Sequence, residues 1–429
     1  MEQTTAGNPK SSAPLLERIF GLSTAGTDPR TEFVAGLTTF LTMVYIVFVN
    51  IGNTGMDKGA VFVATCIAAA VSTLVMALYA NYTIALAPGM GLNAFFAFTV
   101  VLTMKYTWQQ ALAVVFCSGV IFFFISIFRI REYIINAIPR NLKLAISAGV
   151  GLFLGIIALE EAKIVVTSPA TLVTLDNLRN PAAALCLFGL VRRHVDRHSC
   201  RHRNRHSLGA VDFSGVVSAQ PSLSPTLLQL DFSGLHEPSF LIVVFSFLFV
   251  DVFDNAGTLI GVTHQAGLAD ADGDLPRMKQ ALVADSFAAM FGALIGTSTT
   301  TSYIESAAGV AAGGRTGLTA VFVALLFVAA LFFAPLAGMV PAYASSAALL
   351  YVACVMARGL AEMDWDDITE TAPAVVAAVT MPLTYSIATG IGLGFITYAL
   401  IKLIAGRFAD AKPAVLVLAL IFAVKFALG

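Results

Sequence analysis

The chain has 429 residues, of which 58% are hydrophobic and only 12% charged, with a mean hydropathy of +0.83. A water-soluble globule carries about 25% charged residues, so much of this surface must face something other than water. The formal net charge of −1 lacks the basic excess that a nucleic-acid partner calls for. Residues 1–30 are polar, with Lys10, Arg18 and Arg30 and no apolar stretch ending in a cleavage site; they read as a cytoplasmic tail. Apolar runs then recur at about the 20-residue length that crosses a bilayer core. They are 33–51, 59–80, 84–102, 110–128, 142–159, 239–262, 280–296, 298–313, 317–337, 339–357, 372–404 and 413–428. The 372–404 run fits one kinked helix or two short ones around Pro382, and both stay open. Arg129, Arg131, Arg140 and Lys143 cluster between the fourth and fifth runs. The positive-inside rule puts that loop in the cytoplasm and, four crossings earlier, the N-terminus as well. The pattern is that of an all-α polytopic membrane protein. Its cysteines, Cys66, Cys117, Cys186, Cys200 and Cys354, are scattered singly, so neither a disulfide framework nor a zinc knuckle is indicated.

Between 160 and 238 the apolar pattern fails. The stretch "RRHVDRHSCRHRNRH", 192–206, holds six arginines, with His194, His198, His202 and His206 spaced by four. On a helix that spacing would stack imidazoles for a metal; the arginines alternatively suit an anionic lipid surface or a solvated loop. A further reading is a local frame shift. If His-Arg-Asn-Arg-His is spelled CAT CGG AAT CGG CAT, the next frame reads Ile-Gly-Ile-Gly, which is membrane-helix material. One or two spans would then have been overwritten at about 190–210.

Two apolar runs are interrupted. "IALAPGMGLNAFFAF" carries Pro88, Gly89 and Gly91 just ahead of Asn93, and "GTSTTTSYIESAAGVAAGGRTG" sets Tyr303 and Glu305 among hydroxyls and glycines. Proline removes a backbone donor and glycine weakens helices, and irregular backbone survives in lipid only where it is buried in protein or lines a cavity. Interruptions at matching places in two halves point to a transporter site; on a fourteen-span count these are the third and tenth spans. Packing by small residues is the competing explanation. It accounts for the glycines but not for Glu305.

"FSFLFVDVFDNAGTLIGV" opens the second half, with Asp251 and Asp254 three apart and able to share a helix face. A carboxylate in mid-membrane costs a few kcal/mol and marks a substrate or proton path. For Asp254, beside Asn255 and Gly257, a capping role is the alternative. Glu362, Asp364, Asp366, Asp367 and Glu370, and likewise Asp270, Asp272 and Asp274, read as solvated loop acids. His236 and His264 lie at span margins without a nucleophile signature nearby, so no enzyme is indicated.

Together "ERIFGLSTAGTDPRTEFVAGLTTFLTMVYIVFVN", "LAPGMGLNAFFAF", "FVDVFDNAGTLIGV" and "GTSTTTSYIESAAGVAAGGRTGLTA" resemble the AzgA-like purine permeases of the nucleobase–cation symporter-2 superfamily. The resemblance covers nearly the whole chain except about 190–210. It implies fourteen spans in two inverted seven-span repeats, of which about twelve are intact here. Residues 31–130 (spans 1–4) and 239–337 (spans 8–11) would form a core domain, and 131–238 (spans 5–7) and 338–429 (spans 12–14) a gate domain. It further implies proton-coupled uptake of adenine, guanine or hypoxanthine across a bacterial inner membrane. No cofactor is implied beyond the proton, and dimerisation is left open. By the same resemblance Asn93, Asp251 and Glu305 bind the purine, with Gly89, Gly91, Tyr303 and Phe95 beside them, and Asp251, Asp254 and Glu305 couple the proton. The rival readings are an anion exchanger on a similar inverted-repeat fold and a permease silenced by the frame shift.

Overall fold

The computed structural model describes residues 15–47, 54–128, 138–168, 172–176, 220–265, 277–334, 346, 350, 353–384, 386–407 and 410–428. The Arg/His segment 192–206 therefore lies outside the described residues, as does most of the 339–357 run and the Asp270–Asp274 loop.

The chain is mainly helical. A short α1 (Leu15–Phe20) precedes α2 (Pro29–Met43), which Asp28 caps by accepting from the Arg30 and Thr31 N–H groups, with Pro29 at the first position. After α2 the backbone tightens into a 3-10 turn, Val44–Val47. α3 (Lys58–Val75) is capped by Asp57 and runs on through a π-helical turn, Met76–Ala80. Strand β1 (Leu86–Pro88) leads into α4 (Met90–Ala94), which continues as a π-helix over Phe95–Thr103. α5 (Trp108–Ile127) opens on a capping box of Thr107 and Gln110, which satisfies two otherwise orphaned donors at once. α6 (Arg140–Glu161) is followed by a ribbon of β2 (Val165–Ser168) and β3 (Leu172–Leu175).

The second half comprises α7 (Pro238–Gln265), α8 (Met278–Ile295), β4 (Thr300–Ser302), α9 (Ser306–Ala311) and α10 (Gly317–Ala330), then α11 (Ile368–Thr384), α12 (Ile387–Ile404) and α13 (Pro413–Leu428). The long 372–404 run thus resolves into two helices. The break falls after Thr384, where Ser386 caps α12 through the Thr389 N–H, while Pro382 stays inside α11. Among the described residues, four helical stretches, Lys58–Ala80, Trp108–Ile127, Arg140–Glu160 and Met278–Ile295, are long and apolar enough to cross a membrane.

Helices close on one another at small residues, as expected where lipid removes the hydrophobic drive between them. Gly119 on α5 abuts Met290 on α8, and Gly36 on α2 abuts Phe322 on α10. In a second group Gly149 on α6 abuts Ala378 and Met381 on α11, and Gly394 on α12 abuts Ala377. Polarity is distributed the other way round from a soluble protein. Residues Thr297 to Ser302 are all buried, whereas Leu403, Ile404, Val417, Leu420 and Ile421 stand exposed.

One sequence reading needs correction. Asp367 and Glu370 are not free loop acids: Asp367 caps α11 by accepting from Thr369, and Glu370 sits in its first turn, 2.8 Å from the buried Lys402 ammonium of α12. An antiparallel hairpin of α11 and α12 brings these charges together, a consequence of the two-helix arrangement that hydropathy left undecided.

Candidate substrate-binding site

β1 and β4 cross as an antiparallel pair, with Leu86 opposite Ser302, Ala87 opposite Thr301 and Pro88 opposite Thr300. Gly89 N–H extends the pair to Thr299 O and Tyr303 N–H to Ala85 O, both at 2.9 Å. Extended backbone inside a helical bundle has no water to bond, so side chains must supply the rest. Thr73 Oγ1 accepts from Leu86 N at 2.8 Å and donates to Leu86 O at 3.0 Å, and Ser306 Oγ accepts from Ala85 N at 3.0 Å. Pro88 needs no partner for an N–H it lacks. At Gly89 a Cβ would lie 2.5 Å from Thr301 Cγ2, so a side chain there would force Thr301 on β4 to shift.

The residues singled out in the sequence gather around this crossing. Asn93, buried on α4, accepts a short hydrogen bond from Ser298 Oγ, one residue before Thr299. Tyr303 is buried and its hydroxyl donates to Pro88 O at 2.5 Å, stitching the second half to the first. Glu305 is half-buried at the start of α9, and its Oε1 accepts from the Tyr45 hydroxyl at 2.5 Å. Asp251, fully buried on α7, accepts from Asn255 Nδ2 at 2.8 Å. The same amide nitrogen donates a short bond to Asp285 on α8, while Asn255 Oδ1 accepts from Thr301 Oγ1 at 2.7 Å and Ser302 N at 3.1 Å. Ser302 Oγ closes the ring onto Asp285 at 2.9 Å. Two acceptors on one side and two donors on the other fix which way the Asn255 amide faces. Asp251 is thereby tied to the strand that ends three residues before Glu305.

Two other candidates are placed differently. Gly91 packs toward α6, where a Cβ would lie 2.9 Å from Val150 Cγ1; its contribution is close helix approach. Phe95 is buried with its ring edge-to-face against Phe247, centroids 4.9 Å apart. Asp254 lies in the α7 backbone, but its side chain is outside the described residues.

Tyr45, Asn255, Asp285, Ser298 and Ser302 were not singled out by sequence. Asp285 carried a readable signal: it is the one acid in "MKQALVADSFAAMFGALI", a lone carboxylate in an otherwise apolar helix. Asn255 follows Asp251 by four, one helical turn. Tyr45 carried none, since a tyrosine in an apolar run is ordinary.

A helical chain that is apolar outside, with two strands crossing among buried acids and hydroxyls, has the build of a multi-span membrane transporter. The structure aligns with the transmembrane domain of a cyanobacterial bicarbonate transporter, BicA, at a TM-score of 0.63 over 85% of this chain and 97% of that one. Sequence identity there is 15%, and the likeness is one of fold. The chain belongs to the Permease family, which matches residues 30–198 and 206–393. It is 46% identical over 433 residues to the adenine permease AdeP of Escherichia coli K12, spanning 97% of this chain and 96% of that protein. It is also 43% identical over 429 residues to the guanine/hypoxanthine permease PbuO of Bacillus subtilis 168, spanning 95% and 99%.

Proposed function

We propose that the protein takes up purine nucleobases together with protons by alternating access, and that Asn93, Asp251, Tyr303 and Glu305 form the purine site. What supports this reading is the crossing, to which Asn93 is linked through Ser298, and Asp251 through Asn255 to Ser302, three residues ahead of Glu305, in a chain similar to purine permeases. A purine is flat and neutral and presents N–H donors and ring acceptors in one plane. Carboxylates accept from its N–H groups, and the Asn93 amide both donates and accepts. A site built to pair with such edges discriminates strongly, because a wrong solute leaves buried groups unpaired.

Asp251, Asp254 and Glu305 are the groups that would hold and release the proton. The two packing groups support a division of labour. α2 to α5 with α7 to α10 would form the core (31–130 and 239–337), and α6 with α11 to α13 the gate (131–238 and 338–429). The contact of Gly91 with Val150 lies between them. The loop charges support a cytoplasmic N-terminus, and a bacterial inner membrane is the setting that the resemblance to purine permeases implies. The gap in the family match at 199–205 supports a local frame shift in the Arg/His segment, which sequencing of the coding DNA tests directly.

Radiolabelled adenine and hypoxanthine uptake in cells expressing the chain tests the function. Glu305→Gln and Asp251→Asn should abolish uptake while the protein still reaches the membrane; normal transport by either variant refutes the site. A protonophore should collapse accumulation, and indifference to it removes the proton from the mechanism. The fold likeness to an anion transporter favours one second reading, anion exchange. Chloride or bicarbonate flux that is unaffected by purines would establish it instead. Against it stands the chemistry of the crossing, which offers acids where an anion would call for a cation.

A further inference from the structure

Tyr45 and Glu305 are 260 positions apart, and a seam between α2 and α9 brings them together. At Gly313 a Cβ would lie 2.8 Å from Thr31 Cγ2. At Gly309 it would lie 2.1 Å from Thr39 Oγ1 and 2.8 Å from Ala35 O. As numbering falls along one segment it rises along the other, so the two run antiparallel with Glu305 at the Tyr45 end. Gly309 and Gly313 have the four-residue small-residue spacing that lets backbones approach. Beyond the seam α2 tightens into the 3-10 turn Val44–Val47, which buries the Tyr45 ring and delivers its hydroxyl to Glu305 Oε1.

We propose that Tyr45 is a positioning residue for purine recognition: its phenol holds the Glu305 carboxylate in the orientation that receives the ring N–H. This rests on the reading of Glu305 as a purine ligand. A carboxylate offers about four lone-pair positions, and the phenol takes one of them. A carboxylate that is already anchored loses less rotamer freedom when the solute arrives. Tyr45 therefore acts on affinity more than on turnover. The small-residue seam and the acid belong to one device: the glycines set the distance, and the tyrosine uses it.

The test is Tyr45→Phe in the full chain, which removes one oxygen and keeps the ring. Adenine and hypoxanthine uptake give KM and Vmax, equilibrium binding of radiolabelled adenine in nanodiscs gives Kd, and a melting temperature reports the fold. Loss of a hydrogen bond to a charged group should raise KM and Kd about tenfold for both purines, with Vmax and melting temperature little changed. Tyr45→His, which restores a ring N–H donor, should raise them less. A merely structural tyrosine would lower the melting temperature and leave KM unmoved, and that result overturns the proposal. So does Tyr45→His performing no better than Tyr45→Phe, or, should Tyr45→Phe not reach the membrane, Tyr45→His losing binding altogether. If the unmodified chain neither binds nor takes up a purine, the reading of Glu305 falls and this inference with it. If it does both while Tyr45→Phe keeps its KM and Kd, the inference alone falls.

Discussion

Among the described residues, the acids of the α11–α12 hairpin and those of the strand crossing are served differently. At the foot of the α11–α12 hairpin, Glu370 meets the Lys402 ammonium at 2.8 Å and Asp367 meets Arg407 at 2.7 Å, with the Tyr398 ring 5.4 Å from the Lys402 nitrogen. At the strand crossing, Asp251, Asp285 and Glu305 accept hydrogen bonds from neutral groups, among them an amide, a serine and a tyrosine. A cation partner fixes a carboxylate's charge and fastens two helices. Neutral donors orient a carboxylate while leaving it able to take a solute N–H or a proton. The comparison separates acids that hold the protein together from acids that are held ready.

The widest gap should appear between two isosteric exchanges. Glu305→Gln should end purine uptake with the amount of folded protein unchanged. Glu370→Gln should leave KM near wild type and lower the melting temperature instead. If both exchanges lower the melting temperature and neither touches KM, the distinction collapses. Next in size is Lys402→Ala. Removing one partner of a buried ion pair costs roughly 3–5 kcal/mol, and because Glu370 is 26% exposed, water should relieve part of that, leaving about 2 kcal/mol. Replacing Lys402 and Glu370 together by leucine should recover most of the loss, which thermal unfolding in detergent would measure.

Asp285→Asn sharpens the other side. It weakens the acceptor that orients Asn255 and Ser302, so purine KM should rise about tenfold, which uptake kinetics would reveal. The smallest effect belongs to Asp367, whose carboxyl the Thr369 hydroxyl and then Arg407 hold down at about 2, from an ordinary 3.8. A depressed acid contributes its stability fully above its unfolded value and loses it as pH falls through the folded one. The melting temperature should therefore be insensitive to this group at neutral pH and fall between about pH 4 and 2. Asp367→Asn should flatten that acid limb.

Legibility tracked how local each signal was. Caps at Asp28, Asp57 and Thr107 are local, and they stand where helices begin. Asp251 stood out as an acid in an apolar run; Asp285 was passed over, although a stricter scan for lone carboxylates would have found it. Tyr45 and Ser298 were illegible because their meaning depends on partners 260 and 205 positions away. Glu370 was misread because its cation, Lys402, lies 32 residues on, across a turn that composition could not place.

By itself the sequence determined the solvent of this protein and the price of its polarity. A run of apolar segments commits the chain to helices in lipid, since no other backbone satisfies its own hydrogen bonds there, and each interruption or buried acid must then have a purpose. Only the tertiary structure decided what those exceptions are tied to. Whether Glu305 meets a tyrosine or a lysine, and whether 372–404 is one helix or two, depends on which segments lie side by side. Hydropathy is summed along the chain, whereas hydrogen bonds and glycine-close contacts form across it.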